Sequence, residues 1–330
     1  MKNLRLAIAS LTIASLLAAC GGQDAPDDST EATAADQGTE PLSIALPAPN
    51  AVYWSIYLAL DKGWFEEEGF AAEVVTAQGS AGAVQQVAAG SAQMGAATPD
   101  TIVNGVIGGA SVRALAPAML QTPLTLVGQP GIDSFEQLRG KLIGVSAIKG
   151  GEITFLNLLL EQNGLDTDSY DVVVAGTTPA KVSALQADSV AAAVLFSPAD
   201  YTLEREGFSR IGSTSEVALA QEVPLTAYVV QEAWASDQDR AARLRTVLNR
   251  ANDWLLDPAN KQEAVEIFAE ASQQPAEDVA ATYDFWLVDN EMWTTEATVT
   301  DEQIEATLDM MRANGDLEGD GPAVEQLIMP

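Results

Sequence analysis

The sequence predicts an α/β protein of two lobes, each built on a parallel sheet covered by helices, with a helical C-terminal region. Three observations carry that prediction. Short apolar strand-like runs alternate with segments of helical spacing from residue 42 onward, the order that produces parallel sheets. The alternation breaks at Gln129-Pro130-Gly131 and begins again, and the chain from Leu42 on exceeds the about 250 residues at which single cores stop growing. After residue 230 the pattern is helical to near the end.

In chain order, residues 42–46 alternate into a strand, and 54–67 have helical spacing through Ile56, Tyr57, Leu60, Trp64 and Phe65. Strand 73–77, helix 83–89, strand 94–97, helix 100–107 and strand 112–119 follow. The second series opens with 122–127, then has a helix near 135–138, strand 142–146, helix 152–163 closed by Gly164, strand 171–175, helix 180–185, strand 191–196 and helix 199–206. Residues 225–230 form a strong strand after Pro224. Helices are expected at 237–256, 260–271, 277–287 and 301–314, with Pro258 and Pro275 at helix starts. The helical tail is expected to return to the first lobe. Lobe 1 then comprises 42–122 plus 231–330 and lobe 2 comprises 123–230, with the strands 122–127 and 225–230 crossing between them as a hinge.

The N-terminus sets an expected compartment. Lys2 and Arg5 precede the apolar run 6–19, which ends in Leu17-Ala18-Ala19-Cys20, the pattern of a bacterial lipoprotein signal. The run is too short for a membrane-spanning helix, which needs about 20 apolar residues. Residues 1–19 are read as the signal peptide and Cys20 as the lipidated first residue of the mature chain, held extracytoplasmically on a bacterial membrane. Residues 20–41 are acidic, with no basic and no large apolar side chain, and read as a disordered tether.

Composition removes several functions. With 16 Lys and Arg against 47 Asp and Glu, the net charge of −31 repels nucleic acid and anionic lipid. The chain has no histidine and its one cysteine is assigned to the lipid, which removes Ser-His-Asp and Cys-His catalysis, most zinc or copper sites and any disulfide within the chain. A binding protein is expected, not an enzyme, with no metal, no catalytic residues and no cofactor.

The chemistry-bearing pattern is a set of strand ends. Thr98-Pro99, Thr178-Pro179 and Ser197-Pro198 read as N-cap followed by first helical residue, and the neighbouring Thr177 belongs to the second of these joints. Gln78-Gly79-Ser80-Ala81-Gly82 and the stretch 146–152, with Lys149, Gly150 and Gly151, are small-residue joints that let a ligand approach the backbone. Any one of these serves equally as a plain helix start. Five together place helix N-termini, with their unpaired N–H groups, on the carboxyl edges of two sheets, where open α/β sheets bind ligands and where anions are favoured. Asn50, Tyr53 and Trp54 occupy the joint after the first strand, where a ring either stacks on a flat ligand or packs into the core, and Tyr228 lies on the strand 225–230. Lys181 and Glu152 are the other charged residues near these joints.

The block 57–70, Tyr-Leu-Ala-Leu-Asp-Lys-Gly-Trp-Phe-Glu-Glu-Glu-Gly-Phe, with Ala77-Gln78-Gly79-Ser80, the stretch 87–95 and the stretch 131–145, resembles ABC-transporter solute-binding proteins of the sulfonate, nitrate, taurine and thiamine-precursor group. The resemblance runs from about residue 42 to about 230. It implies a type II periplasmic-binding fold, two lobes joined by a double hinge that closes on a small-molecule ligand, acting as a monomer that presents the closed form to an ABC permease. Members with pyrimidine-synthesis activity depend on histidine and a cysteine-rich stretch that this chain lacks, and Ser91-Ala92-Gln93 stands where the family often has an aspartate. The expected ligand is a small organic anion of the sulfonate or carboxylate kind, or a flat pyrimidine-like molecule. The competing functions are a lipid-anchored receptor for a membrane sensor and an enzyme on the same fold.

Overall fold

The computed structural model describes residues 39–121, 123–293 and 296–330; the expected signal segment, Cys20 and most of the tether lie outside the described residues. Glu40 and Pro41, read as the end of the tether, already pair with Phe70 and Ala71, because Glu40 meets Arg240 at 2.5 Å and anchors the strand start.

The first part of the chain runs β1 (Glu40–Leu46), α1 (Trp54–Asp61), α2 (Trp64–Glu67), β2 (Phe70–Thr76), α3 (Gly79–Ala88), β3 (Met94–Ala97), α4 (Pro99–Ile107) and β4 (Val112–Met119). The single helix expected over 54–67 is two helices, because Gly63 adopts a left-handed φ of 70° between them. The second series runs β5 (Thr125–Gly128), β6 (Leu142–Val145), α5 (Gly151–Gln162), β7 (Asp171–Val174), α6 (Thr178–Gln186), β8 (Ala192–Leu195), α7 (Ala199–Arg205), β9 (Ser209–Ser213) and α8 (Leu219–Glu222). β9 was not expected: its sequence Ser-Arg-Ile-Gly-Ser has no alternation, and pairing with β5 alone makes it a strand. The chain ends with β10 (Thr226–Gln231), α9 (Glu232–Ala235), α10 (Gln238–Leu256), α11 (Lys261–Ser272), α12 (Ala276–Tyr283) and α13 (Asp301–Ala313). α10 buries Leu244, Val247, Leu248, Ala251 and Leu255 at three- and four-residue steps, the amphipathic stripe that the sequence shows.

Among the described residues the strands form two five-stranded sheets, β2-β1-β3-β10-β4 and β7-β6-β8-β5-β9. Both are mixed, where parallel sheets were expected. β10 runs antiparallel to β3 and β4, and β5 antiparallel to β8 and β9. β5 follows β4 of the other sheet, and β10 follows β9 of the other sheet through only the short α8, so neither has the long crossover within its own sheet that a parallel neighbour requires. The strands found near the expected crossings, β5 and β10, each lie within one sheet, and the chain passes between the sheets after Met119 and after Ser213. One apolar cluster joins the first sheet to α1, α10, α11 and α12, another joins its opposite face to α3, α4 and α13 and takes in Phe155 and Leu159 of α5, and the second sheet is covered by two smaller clusters.

Candidate functional site

The parallel strands of both sheets aim their carboxyl ends at the joints that the sequence singled out. Asn50 caps the turn after β1: it is 8 % exposed and its side-chain oxygen accepts from the Val52 N–H at 2.9 Å. In the same turn the Ala51 N–H donates to the Ser197 carbonyl at 3.4 Å, which joins the end of β1 to the end of β8. Trp54 is fully buried, donates its indole N–H to Ala264 and packs on Phe268 and Tyr283. Its ring belongs to the core. Tyr53 and Tyr228 are buried as well, and desolvation holds both phenols well above the ordinary tyrosine range, with Tyr57 beside each adding to the effect.

Gly79 and Ser80 open α3, and Ser80 Oγ accepts from the Thr98 N–H at 3.3 Å, tying the starts of α3 and α4 together. Thr98 holds the N-cap position of α4, yet its hydroxyl pairs with Thr101 Oγ1 at 2.8 Å and caps no backbone N–H. The Asp100 carboxylate lies at this turn and against the start of α5, with Thr98, Thr101 and Gly151 as its hydrogen-bonding neighbours. Burial to 6 % exposure pushes the Asp100 carboxyl above the usual carboxylate range, and those hydrogen bonds oppose the shift. Gly150, the N-cap of α5, has φ 98°, and a Cβ there would fall 2.7 Å from Asp100 Oδ2.

The remaining expected residues divide. Thr177 and not Thr178 occupies the N-cap position of α6, and Pro198 and not Ser197 occupies that of α7, each helix starting one residue later or earlier than the Ser/Thr-Pro pattern implies. Lys149 faces outward, 76 % exposed, and pairs with Asp316 at 3.3 Å. Lys181 is fully buried and committed to Glu152 Oε2 and Ser146 Oγ, both at 3.0 Å, while Glu152 also accepts from the Ser146 N–H at 2.6 Å.

A cavity of about 220 Å³ brings together Asn50 from the first sheet's edge with Thr178, Phe196 and Ser197 from the second, and Gln274 closes it from the loop between α11 and α12. Ser197 is 1 % exposed and its hydroxyl has no hydrogen-bond partner. A buried hydroxyl without a partner costs about 1–3 kcal/mol, which a hydrogen bond to a bound molecule would recover. Larger hollows of about 650 Å³ along α13 and about 580 Å³ along α10 contain none of the expected residues. Among the described residues no group of three or more metal-binding side chains comes together. Asp100, Thr202 and Gln274 were missed by sequence reasoning; Asp100 alone had a signal, an acid in the first turn after Thr-Pro, which reads as an ordinary dipole partner.

Residues 50–280 match the model of the family described as NMT1/THI5 like. The chain belongs to the NMT1/THI5-like family. Solved structures extend the likeness to the fold. The alkanesulfonate-binding protein SsuA from Xanthomonas axonopodis pv. citri, bound to MOPS, is 16 % identical with a TM-score of 0.69 over 86 % of this chain and 96 % of that one. The periplasmic nitrate-binding protein NrtA from Synechocystis PCC 6803 is 12 % identical with a TM-score of 0.73 over 84 % and 82 %. The zinc-bound ligand-binding component of an ABC-type import system from Staphylococcus aureus is 10 % identical with a TM-score of 0.74 over 88 % and 97 %. No curated protein matches this NMT1/THI5-like chain in sequence. Its fold is that of the periplasmic binding proteins, with two α/β sheets and a helical C-terminal region.

Proposed function

We propose that this NMT1/THI5-like chain is the extracytoplasmic substrate-binding component of an ABC importer, held to a bacterial membrane by lipid on Cys20, and that it captures a small, flat, pyrimidine-like molecule between its two sheets. The observation that carries the reading is the unpartnered Ser197 hydroxyl beside a cavity to which both sheets contribute. The residues lining that cavity are uncharged, with Asn50 and Thr178 offering hydrogen bonds and Phe196 a ring face. This favours a neutral heteroaromatic ligand over the organic anion that helix starts alone would favour. Its volume lies below the about 300 Å³ at which drug-sized pockets begin, so the ligand is small.

The two passages between the sheets, after Met119 and after Ser213, are the proposed hinge, and ligand contacts with both edges favour the closed form that a permease would read. The test is thermal melting of protein first stripped of carried-over ligand, against a panel of pyrimidines and of aliphatic sulfonates and carboxylates. A pyrimidine is expected to raise the melting temperature. A shift by the anions alone, or by no compound, would overturn the ligand assignment. Labelling of the expressed chain with a radioactive fatty acid, lost on Cys20→Ala, tests the anchor.

A further inference from the structure

We infer that Gln274 is a specificity-determining residue: its side-chain carbonyl is presented to the cavity at Ser197, where it selects ligands that carry a hydrogen-bond donor. The inference deepens the proposed ligand site and rests on that reading for its consequence, while the orientation of the amide is tested without any ligand.

The backbone that carries Gln274 is fixed locally. α11 ends with Gln273 in the left-handed region at φ 56°, and the N–H groups of Gln273 and Gln274 reach back to the Glu270 and Ala269 carbonyls at 3.3 and 3.2 Å. These two bonds close a helix C-terminus of the Schellman kind. Pro275 follows and disfavours helical backbone at Gln274, so the side chain is offered to the cavity rim from one place.

Hydrogen counting then sets which end of the amide faces a ligand. Thr202 Oγ1 on α7 lies 2.7 Å from Asp278 Oδ2 and 3.1 Å from Gln274 Oε1. A hydroxyl has one hydrogen to donate, and lone pairs with which to accept. Asp278 takes that hydrogen, because the carboxylate is both the stronger acceptor and the nearer one. Arg205 fixes the carboxylate in place, with Nε donating to Oδ1 and Nη2 to Oδ2, each at 2.7 Å. Gln274 Oε1 would then stand against the lone pairs of Thr202 with no hydrogen between them. The Pro198 carbonyl, 3.5 Å from the same hydroxyl, only accepts and supplies none. The conflict disappears when the amide is turned over, so that Nε2 donates to Thr202 Oγ1 and Oε1 is presented to the cavity; the two ends of an amide occupy nearly the same space.

On the opposite wall, Asn50 Oδ1 is taken by the Val52 N–H at 2.9 Å, which leaves Nδ2 as a donor. The cavity thus pairs an acceptor at Gln274 with a donor at Asn50, and the Ser197 hydroxyl acts either way. A flat molecule with both a ring nitrogen and an N–H or amino group meets that pattern. Exchanging the amino group for a methyl group of similar size leaves the Gln274 carbonyl facing carbon. A site built for a hydrogen bond rejects such an analogue, because its own polar group is left unpaired.

Two measurements on the full chain test the inference. In protein carrying isotopically labelled glutamine, the side-chain amide protons of Gln274 are identified by their loss in Gln274→Met. Without ligand they are expected to exchange with water about tenfold slower, or more, than in Thr202→Val, where their acceptor is gone. Thr202→Ala carries the same comparison if the valine variant does not fold. Equal exchange in wild type and variant would overturn the orientation of the amide. In calorimetric titration, 4-aminopyrimidine is expected to bind the wild type about tenfold more tightly, or better, than 4-methylpyrimidine, and Q274M is expected to erase that preference. A preference that survives in Q274M, or none in the wild type, would overturn the selectivity. Binding of neither ring would sink the proposed ligand class together with the selectivity and leave the exchange result standing, so the two readings fall separately.

Discussion

The Ala51 N–H lies 3.4 Å from the Ser197 carbonyl oxygen, so the end of β1 in one sheet is hydrogen-bonded to the end of β8 in the other. The same serine lines the shared cavity, and its hydroxyl has no partner. Replacing Ser197 by Ala should leave the backbone bond and the fold unchanged, within about 0.5 kcal/mol, because no hydrogen bond is lost. Ligand affinity should fall about tenfold, about 1.4 kcal/mol, as the hydroxyl's contact disappears. Calorimetric titration beside urea unfolding checks both halves; unchanged affinity would remove Ser197 from the site.

Lys181 stands at 0 % side-chain exposure against Glu152 at 13 %, 3.0 Å apart. Removing one member of a buried pair strands the other charge, so Lys181→Ala should cost about 3–5 kcal/mol in chemical unfolding. The double variant Lys181→Met with Glu152→Leu should recover much of that loss. A double variant as unstable as the single would show that packing and not charge sets the cost.

All six tyrosines are shifted upward, each chiefly by burial. Free tyrosine is half ionised near pH 10. The folded protein at that pH should show far less than half of the tyrosinate absorbance that its denatured form shows. The folded state keeps protons that the unfolded chain releases, so this stabilisation is present below about pH 10 and is lost as pH rises toward the folded values, about 12 for Tyr57 and Tyr170. A spectrophotometric titration with a midpoint at the free value would contradict the buried placement.

Asp278 on α12 is 2 % exposed and accepts from Arg205 Nε and Thr202 Oγ1 on α7, each at 2.7 Å, which clips the C-terminal helices to the second sheet's layer. Asp278→Ala should loosen that clip. Small-angle scattering of the ligand-free variant should give a larger radius of gyration than the wild type, and identical profiles would assign Asp278 a purely local role.

Much of this was legible in the residues. Burial along α10 follows the spacing of Leu244, Val247, Leu248, Ala251 and Leu255, and β8 is buried throughout as its unbroken apolar run implies. The joints at Asn50, Thr178 and Ser197 do line one cavity. What escaped the sequence depended on partners. β9 exists because β5 pairs with it, Trp54 is withdrawn from the joint by Phe268 and Ala264, and Pro198 rather than Ser197 sits at the start of α7.

The order of strands and helices, the lack of histidine and the small-residue joints are properties of the sequence by itself, since strand and helix periodicities and turn chemistry are read over a few neighbouring residues. Only the tertiary structure decided that Asp100 would meet Gly151, that Lys181 would spend its charge on Glu152, and that the Ser197 hydroxyl would be left without a partner. Those outcomes turn on desolvation and on contacts between segments far apart in the chain, and the strength of a charge or a hydrogen bond is set by its surroundings and not by its neighbours in sequence.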